Sequence, residues 1–408
     1  RSARGKKRAS ASPPGTGAAF FPESLSANER SICRATSGAQ DLPLTTANTL
    51  TPLIDGDQAY PAMLTAIAAA RASVALSVYI FDADEAGSMF VDALDAARRR
   101  GVDVRVLVDD LGQLYSRRAI ASELQRRGIT TARFMPRSLR HINLINLRNH
   151  RKMLLIDGRD AFVGGMNIRH GHMLRAQPRR PVRDIHFRVA GSVIDQMAAL
   201  FEEDWNFATR EDIALPRWRG EGSAAHPVIA RLVPDGPDSH FEKLLWVMLG
   251  AIAASTHSIK IMTPYFLPGP ILTSSLLTAA QRGVVVEIIL PERSNIPLFD
   301  WAVQANFRKL VERGIKIWQS GSPFDHSKLF VVDGVWSLIG STNWDQRSLR
   351  LNFEANLECF DAAFAASLTA YFDRRKDESR PVVIESLLAL PLWKVVRNNA
   401  VRLLSPYL

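Results

Sequence analysis

Hydrophobic and polar residues follow first helical and then strand spacing in two parts of the chain. Residues 66–81 (AIAAARASVALSVYIF) begin with the end of an amphipathic helix and continue as a strand, and residues 251–266 (AIAASTHSIKIMTPYF) have the same order. In residues 99–108 (RRGVDVRVLV) and 281–290 (QRGVVVEIIL), a helix ends at glycine and a strand follows at once. The order strand, helix, strand, further segment, final strand therefore recurs in each half.

This alternation of helices and strands is typical of a sheet that is covered by helices. The offset between matching segments is about 180 residues, which is far longer than a solenoid repeat and indicates a duplicated domain. We therefore predict an α/β fold with two pseudo-symmetric domains, each a largely parallel β-sheet flanked by helices.

Changes in composition divide the chain into five parts. Residues 1–45 start with a segment rich in Arg, Lys, Ser, Gly and Pro and are predicted to be a basic, disordered lead. The first domain is predicted at 46–216, a linker at 217–227 (RWRGEGSAAHP), and the second domain at 228–380. Residues 381–408 are predicted to form a C-terminal amphipathic helix and tail, which either packs on the protein or lies in a bilayer interface.

The composition indicates a folded protein whose partner carries phosphate. Of the 408 residues, 47% are hydrophobic and 23% are charged, which is typical of a globular chain with a large core. The formal net charge of +10 favours either nucleic acid or an anionic membrane surface as a partner. Cys33 and Cys359 do not have the spacing of a Cys-x-x-Cys metal site, and no apolar run is long enough to predict a transmembrane helix.

One motif appears twice, at residues 149–167 (NHRKMLLIDGRDAFVGGMN) and 325–343 (DHSKLFVVDGVWSLIGSTN), with an offset of 176 residues. Each copy contains a His, a Lys two residues later, an Asp five residues after that, and an Asn that follows Gly-Gly or Gly-Ser. The motif residues are His150, Lys152, Asp157 and Asn167 in the first copy and His326, Lys328, Asp333 and Asn343 in the second. Because side chains alternate between the faces of a strand, the His and Lys of each copy share one face. Each Asp points to the other face, where we expect it to hold a turn or a buried polar contact.

A His beside a Lys on one face indicates an anion between them, because two cationic groups otherwise repel each other. Asn167 and Asn343 add neutral amide donors, so each copy is predicted to bind phosphate without a metal or another cofactor. If the halves face each other about a pseudo-twofold axis, one neutral His attacks phosphorus while the other, protonated, gives its proton to the departing oxygen. Two carboxylates are candidates to orient the histidine rings: Asp184, 34 residues after His150, and Glu354, 28 residues after His326.

The pattern HxKxxxxDxxxxxxG[GS]xN, present twice, resembles the phospholipase D superfamily. The segments NLRNHRKMLLIDG, FDHSKLFVVDG and SLIGSTNWDQRSLRLNFEANLE are similar in particular to the bacterial cardiolipin synthase branch, and the resemblance extends from about residue 44 to residue 408. It implies a phosphatidyltransferase in which one histidine becomes phosphatidylated and an alcohol then displaces it. Phosphatidylglycerol is the implied donor and acceptor, and the His, Lys and Asp of both motifs are the implied catalytic set. By analogy with the family, His150 is the nucleophile and His326 is the general acid.

The resemblance also sets expectations for the protein's surroundings. Many relatives carry two N-terminal membrane spans, and none is found in this sequence, so we expect peripheral binding to the inner membrane of a bacterial cell. A phospholipid is the expected substrate, and no obligate protein partner is inferred. The alternatives are a hydrolase or a phosphodiesterase/nuclease of the same superfamily, or an inactive lipid-binding protein. Nucleic acid is not expected as the substrate, because no aromatic-rich segment suited to base stacking is found in the sequence.

Other segments have two interpretations each. Residues 137–151 (RSLRHINLINLRNHR) either border a channel for a lipid head group or form a basic surface loop. The Pro-containing segments 263–272 (TPYFLPGPIL) and 295–301 (NIPLFDW) either expose apolar residues to lipid or anchor loops in the core. His170 and His172 are expected to be surface residues rather than metal ligands.

Overall fold

Strands from both halves of the chain join in one continuous sheet in the computed structural model, which describes residues 22–115, 120–135, 146–220 and 227–403. The strands of the first half are β1 Thr45–Ile54, β2 Ser73–Val78, β3 Asp103–Asp109, β4 Thr130–Phe134, β5 Arg148–Asn149, β6 Met153–Ile156, β7 Asp160–Gly164, β8 Val182–Arg183 and β9 Ile185–Gly191. Those of the second half are β10 Val228–Asp235, β11 Ser258–Met262, β12 Phe266–Leu267, β13 Val285–Pro291, β14 Lys316–Ser320, β15 Phe324–Asp325, β16 Leu329–Val332, β17 Trp336–Gly340, β18 Trp344–Asp345, β19 Asn352–Phe360 and β20 Ser379–Pro381.

Helices cover both faces of this sheet. They are α1 Ala27–Ser37, α2 Asp55–Ala69, α3 Glu85–Arg99, α4 Ile120–Arg126, α5 Val193–Thr209, α6 Lys243–Ala254, α7 Pro270–Gln281, α8 Pro297–Val311, α9 Ala362–Asp377, α10 Ile384–Leu388 and α11 Leu392–Arg402. On one face, α5 and α9 pack side chains such as Trp205 and Phe372 into a core that both halves share. On the other face, α2 to α4 cover the strands of the first half, and α1, α6, α7 and α8 cover those of the second.

The strand order is symmetric about the centre of the sheet. It runs β14-β13-β11-β16-β17-β19-β10 from one edge and continues β1-β9-β7-β6-β2-β3-β4 to the other, with β20 added beside β14. The two halves meet where β1 pairs with β10 in antiparallel orientation. The predicted pseudo-symmetric duplication is therefore confirmed, and the joint between the halves is a pair of hydrogen-bonded strands.

The sheet of each half is mixed, whereas the sequence predicts a largely parallel one. Strands β2-β3-β4 and β11-β13-β14 are parallel and alternate with helices as expected. The motif strands instead form antiparallel hairpins, β6 with β7 and β16 with β17. Asp157 and Gly158 have φ of 55° and 63°, and Asp333 and Gly334 have φ of 52° and 65°. Residues with positive φ allow tight turns, and a tight turn can join only antiparallel neighbours.

The predicted disordered lead is wrong for residues 22–45, which contain α1 and the start of β1. Helix α1 begins with a capping box, in which the Ser26 side chain and the Glu29 side chain each accept from the other residue's backbone N–H. Ile32 and Cys33 are fully buried against α6. This packing outweighs the polar composition that suggested disorder, and residues 1–21 lie outside the described part of the chain.

The start of the predicted linker and the C-terminal segment both make contacts with the folded halves. Arg217 forms an ion pair with Glu202, and residues 221–226 lie outside the described ranges. At the other end, β20 pairs with β14, and α11 packs on α8, where buried Asn398 donates to Gln304. The C-terminal helix therefore does pack on the protein. Among the described residues, no helix is long and apolar enough to cross a membrane.

Candidate active site

Both motifs open onto one cavity between the two halves. Its volume is about 1030 Å³, and its wall includes His150, His326, Asn167 and Asn343. The two histidines therefore reach a common space although they lie 176 residues apart in sequence. The structure thus brings together the two His residues and the two Asn residues that a two-histidine site requires.

His150 is held in place by the second half of the chain. Its backbone N–H donates to the Phe353 carbonyl over 2.9 Å, where β5 pairs with β19. Its ring Nδ1 lies 3.0 and 3.1 Å from the two carboxylate oxygens of Glu354. Because a carboxylate only accepts, Nδ1 carries the proton and Nε2 keeps its lone pair.

His326 has the mirror arrangement with the first half. Its backbone N–H donates to the Arg183 carbonyl over 2.8 Å, where β15 pairs with β8, and its Nδ1 lies 2.8 Å from Asp184 Oδ2. The sequence offsets of the two carboxylates do not tell which histidine each one serves. The structure shows that the pairing is crossed, so each half orients the ring of the other.

The two orienting carboxylates are fully buried and bound to further donors. Glu354 accepts from Ser341 Oγ and from Asn352 Nδ2, the latter over 3.3 Å. Burial alone would raise the pKa of Glu354, but His150 and the neighbouring donors outweigh it and hold that pKa below its ordinary value. Burial raises the pKa of Asp184 to about 6, although Lys328 opposes the shift.

Each motif lysine donates to the carbonyl of its own histidine, and Lys328 Nζ also lies 3.1 Å from Nδ1 and 3.3 Å from Nε2 of the His326 ring. Lys152 Nζ donates to the His150 carbonyl over 2.7 Å, and Lys328 Nζ donates to the His326 carbonyl over 2.6 Å. Burial lowers the pKa of Lys152 to about 7 and that of Lys328 to about 8. An anion between them would favour their charged forms, so the empty site has a clear preference for a negatively charged ligand.

Both histidines are neutral near pH 7 in the empty site. Burial lowers the pKa of His150 to about 4, against the opposing effect of Glu354, and it lowers the pKa of His326 well below its ordinary value. A neutral imidazole with a fixed Nδ1–H presents Nε2 as a base or nucleophile.

The two motif asparagines line the cavity but are bound differently. Asn167 Oδ1 accepts from the Ile80 backbone N–H over 3.0 Å, which leaves its amide donors for a ligand. Asn343 Nδ2 donates to Ser348 Oγ over 3.3 Å, and its Oδ1 has no partner in the described part of the chain. Gly165 is required beside them, because a Cβ there would lie 2.9 Å from both Asp184 oxygens and 3.0 Å from Lys328 Nζ.

The structure does not bring Asp157 and Asp333 into the cavity. The Asp157 carboxylate accepts from the backbone N–H groups of residues 71–73, each over 2.8 Å. Asp333 accepts in the same way from residues 256–258. Both carboxylates thus fix the motif turn to the start of a neighbouring strand, which is the position that strand parity indicates.

Sequence reasoning misplaced His172 and included Arg148 only within a segment that had two interpretations. His172, expected at the surface, is 1% exposed and lies in the cavity wall, with Nδ1 3.2 Å from the Val182 carbonyl. The His-x-His spacing of His170 and His172 does not predict that His172 is buried in the cavity wall. Arg148, two residues before His150, also lies in the wall, and strand parity could have identified it. Residues 137–145 of the predicted head-group border lie outside the described residues.

A duplicated α/β fold in which a His and an Asn of each half line one cavity, with a buried Lys hydrogen-bonded to each His carbonyl, defines an enzyme of the phospholipase D superfamily. The family model "Cardiolipin synthase, PLD-like domain" matches residues 63–205 and 248–376, so it covers more than half of the chain. The chain therefore belongs to this family.

Curated relatives and a solved structure agree with this assignment. The chain is 33% identical over 364 residues to the major cardiolipin synthase ClsA of Bacillus subtilis, covering 88% of this chain and 76% of that protein. It is 31% identical over 368 residues to a cardiolipin synthase of Staphylococcus aureus, covering 90% and 74%. The crystal structure of phosphatidylserine synthase from Haemophilus influenzae matches with a TM-score of 0.71 at 16% identity, covering 92% of this chain and 100% of that one, which shows a shared fold.

Proposed function

We propose that this chain joins two phosphatidylglycerol molecules into cardiolipin through a phosphatidyl-histidine intermediate. The observation that carries the proposal is the crossed pair of neutral imidazoles, His150 with Glu354 and His326 with Asp184, in the wall of one cavity. Two bases with fixed tautomers on one cavity suit a double displacement at phosphorus. The relatives' names point to the same chemistry.

In the first step, His150 Nε2 attacks the phosphorus of the donor. The P–N bond forms as the P–O bond to the glycerol head group breaks, and protonated His326 gives its proton to the departing oxygen. The phosphodiester anion supports that protonation, because a negative ligand raises the pKa of a nearby imidazole. The role of nucleophile is given to His150 by analogy with the family, since both rings make the same kind of Nδ1 contact to a carboxylate.

In the second step, the hydroxyl of another phosphatidylglycerol attacks the phosphorus. Its proton passes to His326 Nε2, the P–N bond breaks, and His150 returns to its neutral form. Lys152 and Lys328 stabilise the charge on the phosphoryl oxygens in both steps, with Asn167 as a neutral donor. Water in place of the alcohol would yield phosphatidic acid instead.

The lipid reaches the cavity from a membrane surface in this proposal. Helix α11 packs on α8 with one side, while Leu392, Trp393 and Val396 are 77%, 61% and 60% exposed on the other. Lys394 and Arg397 stand among them, which suits anionic head groups. Ile296, the residue just before α8, is also exposed and lines the cavity. We infer peripheral binding of this face to the inner membrane of a bacterial cell.

The test is product analysis with vesicles of phosphatidylglycerol. The proposal expects cardiolipin and free glycerol in equal amounts, and His150→Ala and His326→Ala should abolish both products. His257→Ala is the matched control, because its exposed side chain lies outside the cavity wall. Phosphatidic acid as the sole lipid product would show a hydrolase instead, and an unchanged lipid with cleaved single-stranded oligonucleotide would show a nuclease.

A further inference from the structure

The two catalytic histidines are flanked by equivalent strand pairs that differ in chemistry. On the His150 side, β5 pairs with β19 and places Arg148 opposite Asn352. On the His326 side, β15 pairs with β8 and places Phe324 opposite Val182. All four residues line the cavity. The pseudo-symmetry therefore ends at these positions, where one strand pair presents Arg and Asn and the other presents Phe and Val.

Arg148 has a buried guanidinium in which two of the three nitrogens lack a hydrogen-bond partner among the described residues. The residue is 2% exposed, and its Nε and Nη2 have no hydrogen-bond partner among the described residues. The carboxylate of nearby Asp109 accepts instead from the backbone N–H groups of residues 111, 112 and 149. A buried guanidinium with free donors is costly unless an anion binds it, and its planar fork matches a phosphate. Arg347, also in the cavity wall, adds positive charge nearby.

Two buried amide oxygens in the wall of the same cavity lack donors. Asn343 Oδ1 and Asn352 Oδ1 have no partner within the described ranges, and both residues line the cavity. Their amide nitrogens face Ser348 Oγ, over 3.3 and 3.5 Å, so their oxygens keep a fixed orientation. A buried carbonyl oxygen without a donor suits a ligand hydroxyl.

We propose that Arg148, Asn343 and Asn352 form a subsite for the head group of the acceptor, a phosphodiester that also carries hydroxyl groups. Arg148 binds the acceptor's own phosphate, and the two amide oxygens accept from its hydroxyls. This inference rests on the proposed function, because it concerns the lipid that attacks the phosphatidyl-histidine. It names a second phosphate position, distinct from the one between Lys152 and Lys328.

The subsite explains a preference among acceptors. Glycerol offers hydroxyls to the asparagines but nothing to Arg148, and water offers even less. Only an alcohol that carries a phosphate satisfies all the unpaired atoms. At the equivalent strand positions, Phe324 and Val182 offer neither a guanidinium nor an amide oxygen, so the proposal directs the acceptor head group to the side of His150.

The experiment compares two reactions that share the first step. Vesicles of phosphatidylglycerol are incubated with labelled glycerol, and the assay measures cardiolipin formation alongside label exchanged into phosphatidylglycerol. Exchange uses a neutral acceptor, whereas cardiolipin formation uses a phosphate-bearing one. In Arg148→Gln we expect the ratio of cardiolipin formation to exchange to fall at least tenfold. An equal decline of both reactions would overturn the inference, because Arg148 would then serve the reacting phosphate or the fold.

Two further variants keep the test decisive if Arg148→Gln misfolds. Arg148→Lys keeps the charge without the planar fork, and we expect its ratio to fall at least threefold while exchange persists. If Arg148→Gln loses both reactions, an unchanged ratio in Arg148→Lys overturns the proposal. Arg180→Gln is the matched control, since Arg180 lines the cavity near Val182 and should leave the ratio as in the wild type. A wild-type protein that performs neither reaction would refute the proposed function itself.

Discussion

Glu354 of the second repeat accepts a hydrogen bond from His150 of the first, across 204 residues of sequence. Asp184 and His326 form the reciprocal contact across 142 residues. Glu354 lies on β19 and Asp184 immediately precedes β9, and these two strands flank the central β1–β10 pair. The sheet itself therefore sets the crossed pairing. The orientation of each ring thus depends on both halves.

We predict that Glu354→Gln lowers kcat by about 100-fold. A neutral amide does not supply the negative charge beside Nδ1 of His150, and it no longer holds the imidazole in one tautomer. KM should change little, and Glu354→Asp should recover part of the rate. Steady-state kinetics on phosphatidylglycerol vesicles provide the measurement. Glu358→Gln is the control, since this buried glutamate on the same strand binds Arg231 and Trp336 and should affect stability only. Equal kcat in both glutamine variants would contradict the orienting role.

The assignment of the nucleophile can be tested by trapping. A phosphatidyl donor with a p-nitrophenyl leaving group needs no general acid, so His326→Ala should accumulate labelled lipid on the protein, whereas His150→Ala should carry none. The readout is acyl-chain label on protein denatured at alkaline pH, where a phosphohistidine bond survives. Label on His326 in the His150→Ala variant would reverse the two roles.

Asp157 and Asp333 are predicted to support stability rather than chemistry. Asp157→Ala removes three hydrogen bonds to backbone N–H groups and leaves alanine at a φ of 55°. We expect the free energy of unfolding to fall by about 2 kcal/mol, with a smaller loss for Asp157→Asn, which tolerates this backbone conformation better. Urea unfolding measures the change. The rate per folded molecule should stay within threefold of the wild type, and a hundredfold loss would place the aspartate in the reaction.

The binding of an anion should weaken as the pH rises. Burial lowers the pKa of Lys152 to about 7 and of Lys328 to about 8, so both are charged below pH 7 and both lose their protons by pH 9. Sulfate keeps its charge over this interval, and its Kd should rise about tenfold per pH unit once a required lysine titrates. The measurement is the difference in Tm with and without sulfate at each pH. The double variant Lys152→Met/Lys328→Met is the control, because it measures the non-specific effect of salt on Tm. A sulfate Kd that stays constant up to pH 9 would contradict the assignment of the lysines to anion binding.

Membrane binding is predicted to depend on the exposed face of α11. Trp393→Ala/Val396→Ser should weaken binding to anionic vesicles at least tenfold, because both apolar side chains leave the bilayer interface. Vesicle sedimentation measures the binding, and activity on detergent-dispersed lipid should be unchanged. Met89→Ser is the control, as this exposed apolar residue lies on α3 of the first half. Wild-type sedimentation of the α11 variant would exclude this face.

The sequence was sufficient for the duplication and for the identity of the motif residues, because both depend on local spacing. His150 and His326 could be placed on one cavity once the halves were assumed to face each other. Strand parity alone placed Asp157 on the face opposite His150 and Lys152, with a role in a turn or a buried polar contact. These features are encoded within a few residues of each motif.

Features that depend on contacts between distant segments could not be obtained in this way. The crossed pairing of Glu354 with His150 requires the β1–β10 joint, which no local pattern specifies. The basic composition of the residues before α1 led to a prediction of disorder that included this helix. Ile32 and Cys33 nevertheless fit a helix that packs on α6. The burial of His172 involves α2, which passes so close to its backbone that a Cβ on Gly56 would lie 2.8 Å from the His172 carbonyl oxygen.

The central strand joint limits how such a protein can evolve. Since either copy supplies the partner for the other copy's reactive ring, an altered carboxylate in one repeat damages chemistry performed by its twin. A polypeptide with a single repeat could assemble the same centre only by associating with a second molecule of itself. Fusion of two repeats into one polypeptide makes that association permanent, and it frees the flanks at Arg148 and Phe324 to diverge.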